Sequence, residues 1–438
     1  MRYILRSILM ASALAAAASC CKHKAEPPRF PDHIDNVLVM YMAGQNNIAS
    51  NLRNNIITLC SGYLPAGNDP TIFLSYQKIS SSKVPAKSYL IRYYRHGGAL
   101  AADTVARYGS DLPAASAATL NKVLSDVKES FPSASYSLLF SSHATGWLPK
   151  GYYNNPSSYD SQLSGLPERT VTSSGMPDQE WVPYHEEYRD PSLPPVKSIG
   201  QDAVSQNGSA VSYEIDLKEF RDAIPMHLDY ILFDCCLMGG IEVAYELKDK
   251  CDRIIFSPAE VIAYGFNYRT MGALLLSASG ADLEGVCRDY YNYYNSKPGA
   301  YRSATVTLVD CTRLEPVAEA CRTIFSSHRE GLSTIDPDNV QRYYTGGHHW
   351  FYDLYDIACK AGADDGELSA LSEALDGCTI YKASTETFLS GPETSPGYGF
   401  SISVYSGFSM YLPCDGSEFL DDAYRSLDWN VRTGLVEE

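Results

Sequence analysis

The chain reads as an α/β sandwich around a mainly parallel sheet, with a C-terminal α/β extension. Three observations predict this. Short apolar runs recur along the sequence, amphipathic helical stretches lie between them, and the runs are apolar at nearly every position rather than at every second one. A strand covered on both faces reads as a continuous apolar run, and strands alternating with helices build parallel sheets.

In chain order, strands are expected at 36–43 (NVLVMYMA), 71–77 (TIFLSYQ), 88–94 (SYLIRYY), 136–142 (YSLLFSS), 229–235 (DYILFDC) and 253–258 (RIIFSP). Helices fall between them. Leu120, Val123, Leu124, Val127 and Phe131 share one helical face, and Leu237, Ile241, Ala244 and Leu247 share another. Residues 34–300 form the main domain on this reading. From 301 to 438, SATVTLVD and GFSISVYSGFSMYLP give further strand with helices between, expected as a C-terminal subdomain. The segment 148–202 differs in kind. It is polar, rich in Pro, Tyr, Ser and Gly, and without clear periodicity, so it reads as a long surface insertion.

The N-terminus is an address rather than a domain. Arg2 and Arg6 precede an apolar run from Ile8 to Ala18, followed by small residues and a cysteine. That pattern is a bacterial secretion signal over residues 1–19, too short to span a bilayer. Ala17-Ala18-Ser19-Cys20 resembles a lipobox, which makes Cys20 the expected lipidation site and 20–33 a Pro-rich tether; Cys21 would shift the register by one. The expectation is an exported lipoprotein of the bacterial cell envelope, at the outer membrane or cell surface, held to the membrane by that anchor.

A formal charge of −17, from 35 Lys and Arg against 52 Asp and Glu, excludes a nucleic-acid binder, which needs clustered cations. Twelve cysteines without a CxxC pair exclude a zinc ribbon and a dense disulfide framework. No HExxH or G-x-S-x-G appears, so metal-hydrolase and serine-hydrolase chemistry lack their motifs. His185-Glu186 and His348-His349 read as surface or packing residues.

Two strand ends carry residues for nucleophilic catalysis. YSLLFSSHATGW ends at His143, and DYILFDCCLMGG ends at Asp234, Cys235 and Cys236. Functional groups of open α/β sheets gather at the carboxyl ends of strands. If these two strands are neighbours, an imidazole faces a thiol, and the base can activate it for attack on a carbonyl. A helix expected to start at LMGGIEVAYEL would add its N-terminal dipole.

VLVMYMAGQNN, LLFSSHATGW, FDCCLMGGIEVAYEL, SPAEVIAYGFNY and GFSMYLP together resemble the clostripain-like cysteine peptidases, from about residue 35 to the C-terminus. The resemblance implies a caspase-like fold, shared with gingipains and legumains, with residues 34–300 as the catalytic domain. It implies His143 as catalytic base and Cys236 as nucleophile, with Cys235 where a small residue is usual. It implies an oxyanion site made by the backbone at Ala144 and Cys236, although glycine is usual at the first of these. It also associates Asp234 with substrate binding and preference for Arg or Lys before the scissile bond, in peptide or protein substrates. Gln45 departs from an acid usual before Asn46 and Asn47. The family's namesake depends on calcium, but Asp336 and Asp338 are generic acids, so no metal or other cofactor is expected. Members are often cut between the two catalytic strands, and 148–202 offers Lys150, Arg169, Arg189 and Lys197. The rival reading is an inactive surface lipoprotein of the same fold that binds peptide or glycan.

Overall fold

The computed structural model describes residues 31–159 and 202–437, apart from 45, 47, 80–86, 111, 154–155, 207–208, 345–349 and 389–398. The apolar runs pair into one nine-stranded sheet. Its strands are β1 (Asn36–Gly44), β2 (Thr71–Ile79), β3 (Ser88–His96), β4 (Ala99–Tyr108), β5 (Ser135–Ser141), β6 (Leu228–Asp234), β7 (Cys251–Phe256), β8 (Thr305–Asp310) and β9 (Thr379–Ser384). Their spatial order is β9-β8-β7-β6-β5-β1-β2-β3-β4. The five central strands, β7-β6-β5-β1-β2, run parallel, and an antiparallel pair extends each side.

The central strands are buried on both faces, as their unbroken apolar runs require. In β1, Val37, Val39 and Tyr41 join the core on one face, while Leu38, Met40 and Met42 join that on the other. In β6, Ile231 and Phe233 alternate with Tyr230 and Leu232 in the same way. Each such aliphatic side chain contributes about 1.5–3 kcal/mol through burial. The second face is covered by α1 (Ala49–Ser61), with Leu52, Ile56 and Leu59 inward, together with residues 268–275 and 283–295. The first is covered by α2 (Ala117–Ser130), whose Leu120, Val123, Leu124 and Val127 are buried as their spacing predicts. On the same face lie α3 (Leu217–Ala223), α4 (Ile241–Leu247) and the helices of the C-terminal third.

Two elements differ from the sequence reading. The strand β4 is half-exposed and weakly apolar, so its pattern escaped; Gly97 and Gly98, at φ 59° and 82°, turn β3 back into it. The stretch 399–413, expected as strand, holds only the two-residue pieces Phe400–Ser401 and Ser409–Met410, outside the main sheet. The outer strand is instead 379–384. Residues 305–310 and 379–384, from the expected C-terminal extension, thus belong to the same sheet as the rest. At the end of the expected insertion and beyond it, 202–206 and 209–213 pair as an antiparallel hairpin.

Candidate active site

β5 and β6 are adjacent and parallel, with Ser141 opposite Asp234. His143 and Cys236 therefore each lie two residues beyond the last paired position, at the same carboxyl-end edge of the sheet. This is the juxtaposition that the two sequence motifs require. β6 stops at Asp234, so both cysteines sit in the turn before α4, which begins only at Ile241. The helix expected to start directly behind the thiol is offset by that turn.

The two thiols have different surroundings. Cys235 donates to the carbonyl of Phe140 at 3.3 Å and is packed in the apolar core. Cys236 accepts from the Val261 N–H at 2.9 Å and donates to the Val261 carbonyl at 3.5 Å. An N–H aimed at sulfur favours the thiolate, whereas burial favours the thiol. Both residues are fully buried, and both are free cysteines, the Cys235 sulfur contacting β5 and the Cys236 sulfur the segment after β7.

His143 is buried to 6% exposure and lines a cleft with Ala144, Thr145, Phe140, Phe233 and Met238. Neither Asp234 nor Cys236 lines that cleft. Beside His143, Ser142 donates to the Ala43 carbonyl at 3.0 Å, tying this turn to the end of β1. Asn46 closes the same strand end, donating to Ala43 and accepting from the Ile48 N–H. Gln45 and Asn47 lie outside the described residues.

The two turns are fitted to each other by backbone conformation. Among the described residues Leu237 is the only non-glycine with a positive φ, 60°, a conformation that costs about 1–2 kcal/mol. Its N–H bonds to the Ala259 carbonyl at 3.0 Å. Its own carbonyl lies so close to Gly146, φ 62°, that a Cβ there would meet it at 2.4 Å. Glycine in HATGW is thus required at 146, both for its φ and for the close approach. Ala144 needs no left-handed backbone, so alanine carries no such strain there.

Asp234 is fully buried. Its Oδ2 accepts from Ser141 Oγ at 2.8 Å and from the Tyr268 hydroxyl at 2.5 Å. Gly265, at φ 69°, backs onto the carboxylate, and a Cβ there would lie 2.6 Å from each oxygen. Tyr268 is held well above the ordinary phenol range by burial and by the adjacent Asp234 charge. The sequence reading did not single out Val261, Gly265 or Tyr268. They leave from the exit of β7, and no spacing within the chain announces them.

Glu242 is the second buried acid. Its Oε1 accepts from the Tyr411 N–H and from the Tyr424 hydroxyl, each at 2.8 Å. Trp147, four residues past His143, packs on both tyrosines, with ring centroids 4.7 and 5.1 Å away. Burial raises the Glu242 carboxyl to about 7, against the hydrogen bonds that lower it. The base of the insertion is also pinned. Lys150 and Gly151 donate backbone N–H groups to Asp216 at 2.8 Å and Glu214 at 2.7 Å. Tyr152 stacks on Phe419 at 5.4 Å.

Among the described residues no group of three or more His, Cys, Asp and Glu is placed to hold a metal ion. Asp336 accepts from the Asp338 N–H and from Asn339, and Asp338 pairs with Arg342, so both are committed to local structure. Cys20, Arg169, His185, Arg189, Lys197 and His348 lie outside the described residues.

Residues 184–390 match the sequence model of the clostripain family. Comparison with curated proteins returned no match. Solved structures share the fold, among them three C11 proteases. An inactive zymogen C11 protease from Parabacteroides distasonis is 23% identical, with a TM-score of 0.70, over 92% of this chain and 99% of that one. A secreted C11 cysteine protease from Bacteroides thetaiotaomicron, in complex with an irreversible peptide inhibitor, is 18% identical, with a TM-score of 0.70 and the same coverage. A secreted C11 cysteine protease of that organism called iotapain is 22% identical, with a TM-score of 0.69, over 92% and 100%.

The raised Glu242 carboxyl makes a stability prediction. Its folded value, about 7, lies above the ordinary 4.5, so between these the folded state holds a proton that the unfolded chain releases. Stability from this group is therefore full below 4.5 and falls as pH rises through 7, by on the order of 2–3 kcal/mol between pH 5 and 8. Glu242→Gln keeps an acceptor for Tyr411 and Tyr424 but cannot titrate. In denaturant unfolding, the loss of stability from pH 5 to 8 should be on the order of 2–3 kcal/mol smaller in this variant than in wild type. An equal loss in both would mean that Glu242 is charged throughout.

Proposed function

We propose that the chain is a clostripain-type cysteine peptidase, whose family model residues 184–390 match, and that it is an exported endopeptidase working through His143 and Cys236. The observation that carries this reading is the pairing of Ser141 with Asp234, which sets the two residues at equal distance beyond neighbouring strands. In the reaction, His143 takes the Cys236 proton and the thiolate attacks the scissile carbonyl. The backbone N–H groups of Ala144 and Cys236 receive the oxyanion. His143 then protonates the leaving amine, and water hydrolyses the acyl-enzyme. Cys236 is favoured over Cys235 because the Val261 N–H is directed at its sulfur, whereas Cys235 is packed in the core.

Asp234 is the candidate for recognition of a basic side chain. It is a buried carboxylate next to the nucleophile turn, with the Gly265 backbone packed against both its oxygens. A guanidinium can pair with such a group bidentately and an ammonium less well, which favours Arg over Lys. The acidic surface adds a salt-dependent attraction for cationic peptides. The competing role is structural, since Ser141 and Tyr268 already use Oδ2.

Self-processing within 148–202 fits the buried nucleophile. In this uncut chain the Val261 peptide covers the Cys236 sulfur, and one solved relative is described as an inactive zymogen. Lys150 is exposed at the start of the segment. Attachment through Cys20 completes the reading as a cell-envelope lipoprotein; no described helix is long and apolar enough to cross a membrane.

Cys236→Ala and His143→Ala should each lower peptide cleavage by at least about a thousandfold, while Cys235→Ala keeps most of it. Equal loss from both cysteine variants would remove the assignment of the nucleophile. Labelling of Cys236 by an acyloxymethyl ketone no better than that of the other cysteines would favour the inactive peptide- or glycan-binding lipoprotein instead.

Arg reporters should be cut faster than Lys reporters, and Asp or Phe reporters hardly at all. Asp234→Asn should reduce kcat/KM on Arg substrates by more than it slows reaction of Cys236 with a small neutral probe. Parallel reductions would make Asp234 a support of geometry only.

Purified wild type should convert to two associated fragments cut within 148–202, with Cys236→Ala remaining whole in mass spectrometry. A wild-type chain that turns over substrate while staying whole would exclude the processing step.

A further inference from the structure

The mechanism makes no use of three buried cysteines gathered at the other end of the sheet. Cys251 opens β7, Cys311 directly follows β8, and Cys378 directly precedes β9. These three strands are neighbours in the sheet. The Cys251 and Cys311 sulfurs lie 4.0 Å apart, Cys311 one position and Cys251 two positions beyond the last paired residues, Asp310 and Arg253. Cys251 also donates to the Leu247 carbonyl, and Cys378 to that of Leu375 at 3.3 Å. Forming a disulfide requires the Cys251 and Cys311 sulfurs to close from 4.0 Å to about 2.05 Å. The hydrogen bond with the Cys251 thiol and then burial hold the Cys311 thiol well above its ordinary range, so it is unreactive once this region has closed.

We infer that Cys251 and Cys311 form a structural disulfide when the chain folds in an oxidising compartment. One thiolate attacks the disulfide of an exchange partner and releases one partner thiol. The second thiolate then attacks the mixed disulfide, joining Cys251 to Cys311 and releasing the other thiol. The protein loses two hydrogens, and the partner disulfide is reduced by the two electrons. Exchange takes place before the strands pack, because both sulfurs are buried afterwards.

The bond would clip together the ends of residues 251–311. That segment holds Val261, which caps Cys236, and Gly265 and Tyr268, which enclose Asp234. Closing a loop of this length in the unfolded chain restricts it strongly, which favours the folded state. The clip therefore stabilises the wall of the candidate site from its far end. The inference rests on the export reading and not on the peptidase reading, which is reported separately by probe labelling of Cys236.

The test uses the full chain, exported from a bacterial host, purified without reductant, denatured and alkylated with iodoacetamide. Peptide mapping should find the Cys251 and Cys311 peptides joined and the Cys378 peptide alkylated. Reductant should lower the thermal midpoint by about 5 °C. Cys251→Ser should lose this sensitivity to reductant, and Cys378→Ser should keep it. A second sample, refolded in a glutathione redox buffer, makes the result independent of export and should give the same linked peptides. Alkylation of both Cys251 and Cys311 in the refolded sample, or a link between Cys311 and Cys378, would overturn the assignment.

Discussion

A single buried carboxylate, Glu242, joins the parts of the molecule that meet at the candidate site. It sits on the first turn of α4, immediately after the cysteine turn. It receives hydrogen bonds from the backbone of Tyr411 and the hydroxyl of Tyr424, both brought from the C-terminal third. Those two rings hold Trp147 of the histidine turn between them and the rest of the core. Nearby, Ser409 donates its N–H to the Gly239 carbonyl. The histidine and cysteine turns are thus positioned relative to each other by a third segment as well as by their own strands. An acid buried in this way must keep its partners, since an unsatisfied buried carboxylate costs several kcal/mol.

The next acid of α4 repeats the device. Glu246 accepts from Arg221 on α3 and from the Asp428 N–H, so α4 is tied both to the helix before β6 and to the C-terminal helix. Burial raises its carboxyl, offset by the Asp428 amide and the Arg221 charge. Around it, Arg432 bridges Glu315 and Glu319 at the surface. Exposed pairs of that kind contribute little, about 0–1 kcal/mol each. The buried acids, unlike the surface pairs, must keep their partners for this packing to form.

The same constraint explains the local irregularities around Cys236. A turn that must place a thiol against Val261, a carbonyl against Gly146 and a carboxylate at Tyr411 has little backbone freedom. Leu237 adopts a left-handed conformation within it, and Gly239 passes so close to Pro258 that a Cβ would lie 2.3 Å from its nitrogen. Departures of this kind persist where surrounding structure over-determines them, as it does here. Asp234, one residue before the turn, is enclosed by Ser141, Gly265 and Tyr268, which brings strands β5 and β6 and the exit of β7 to one carboxylate.

Local pattern determined much of this protein. Unbroken apolar runs marked the central strands, a 3.6-residue period marked α2, and an acid, two thiols and a histidine at strand ends marked where chemistry could gather. These signals are legible because strand alternation and helical period depend only on near neighbours along the chain. The half-exposed β4 escaped because neither of its faces is strongly apolar. The run 399–413 misled because its apolar residues, such as Phe408 and Met410, pack into the core outside the main sheet. Tertiary structure alone decided that β5 lies beside β6, that Val261 meets Cys236 and not Cys235, and that Tyr411 and Tyr424 reach Glu242. It alone placed Cys251 against Cys311. Each of these is a contact between residues far apart in the sequence, set by strand order and by which side chain fills a shared space, and no local period encodes either.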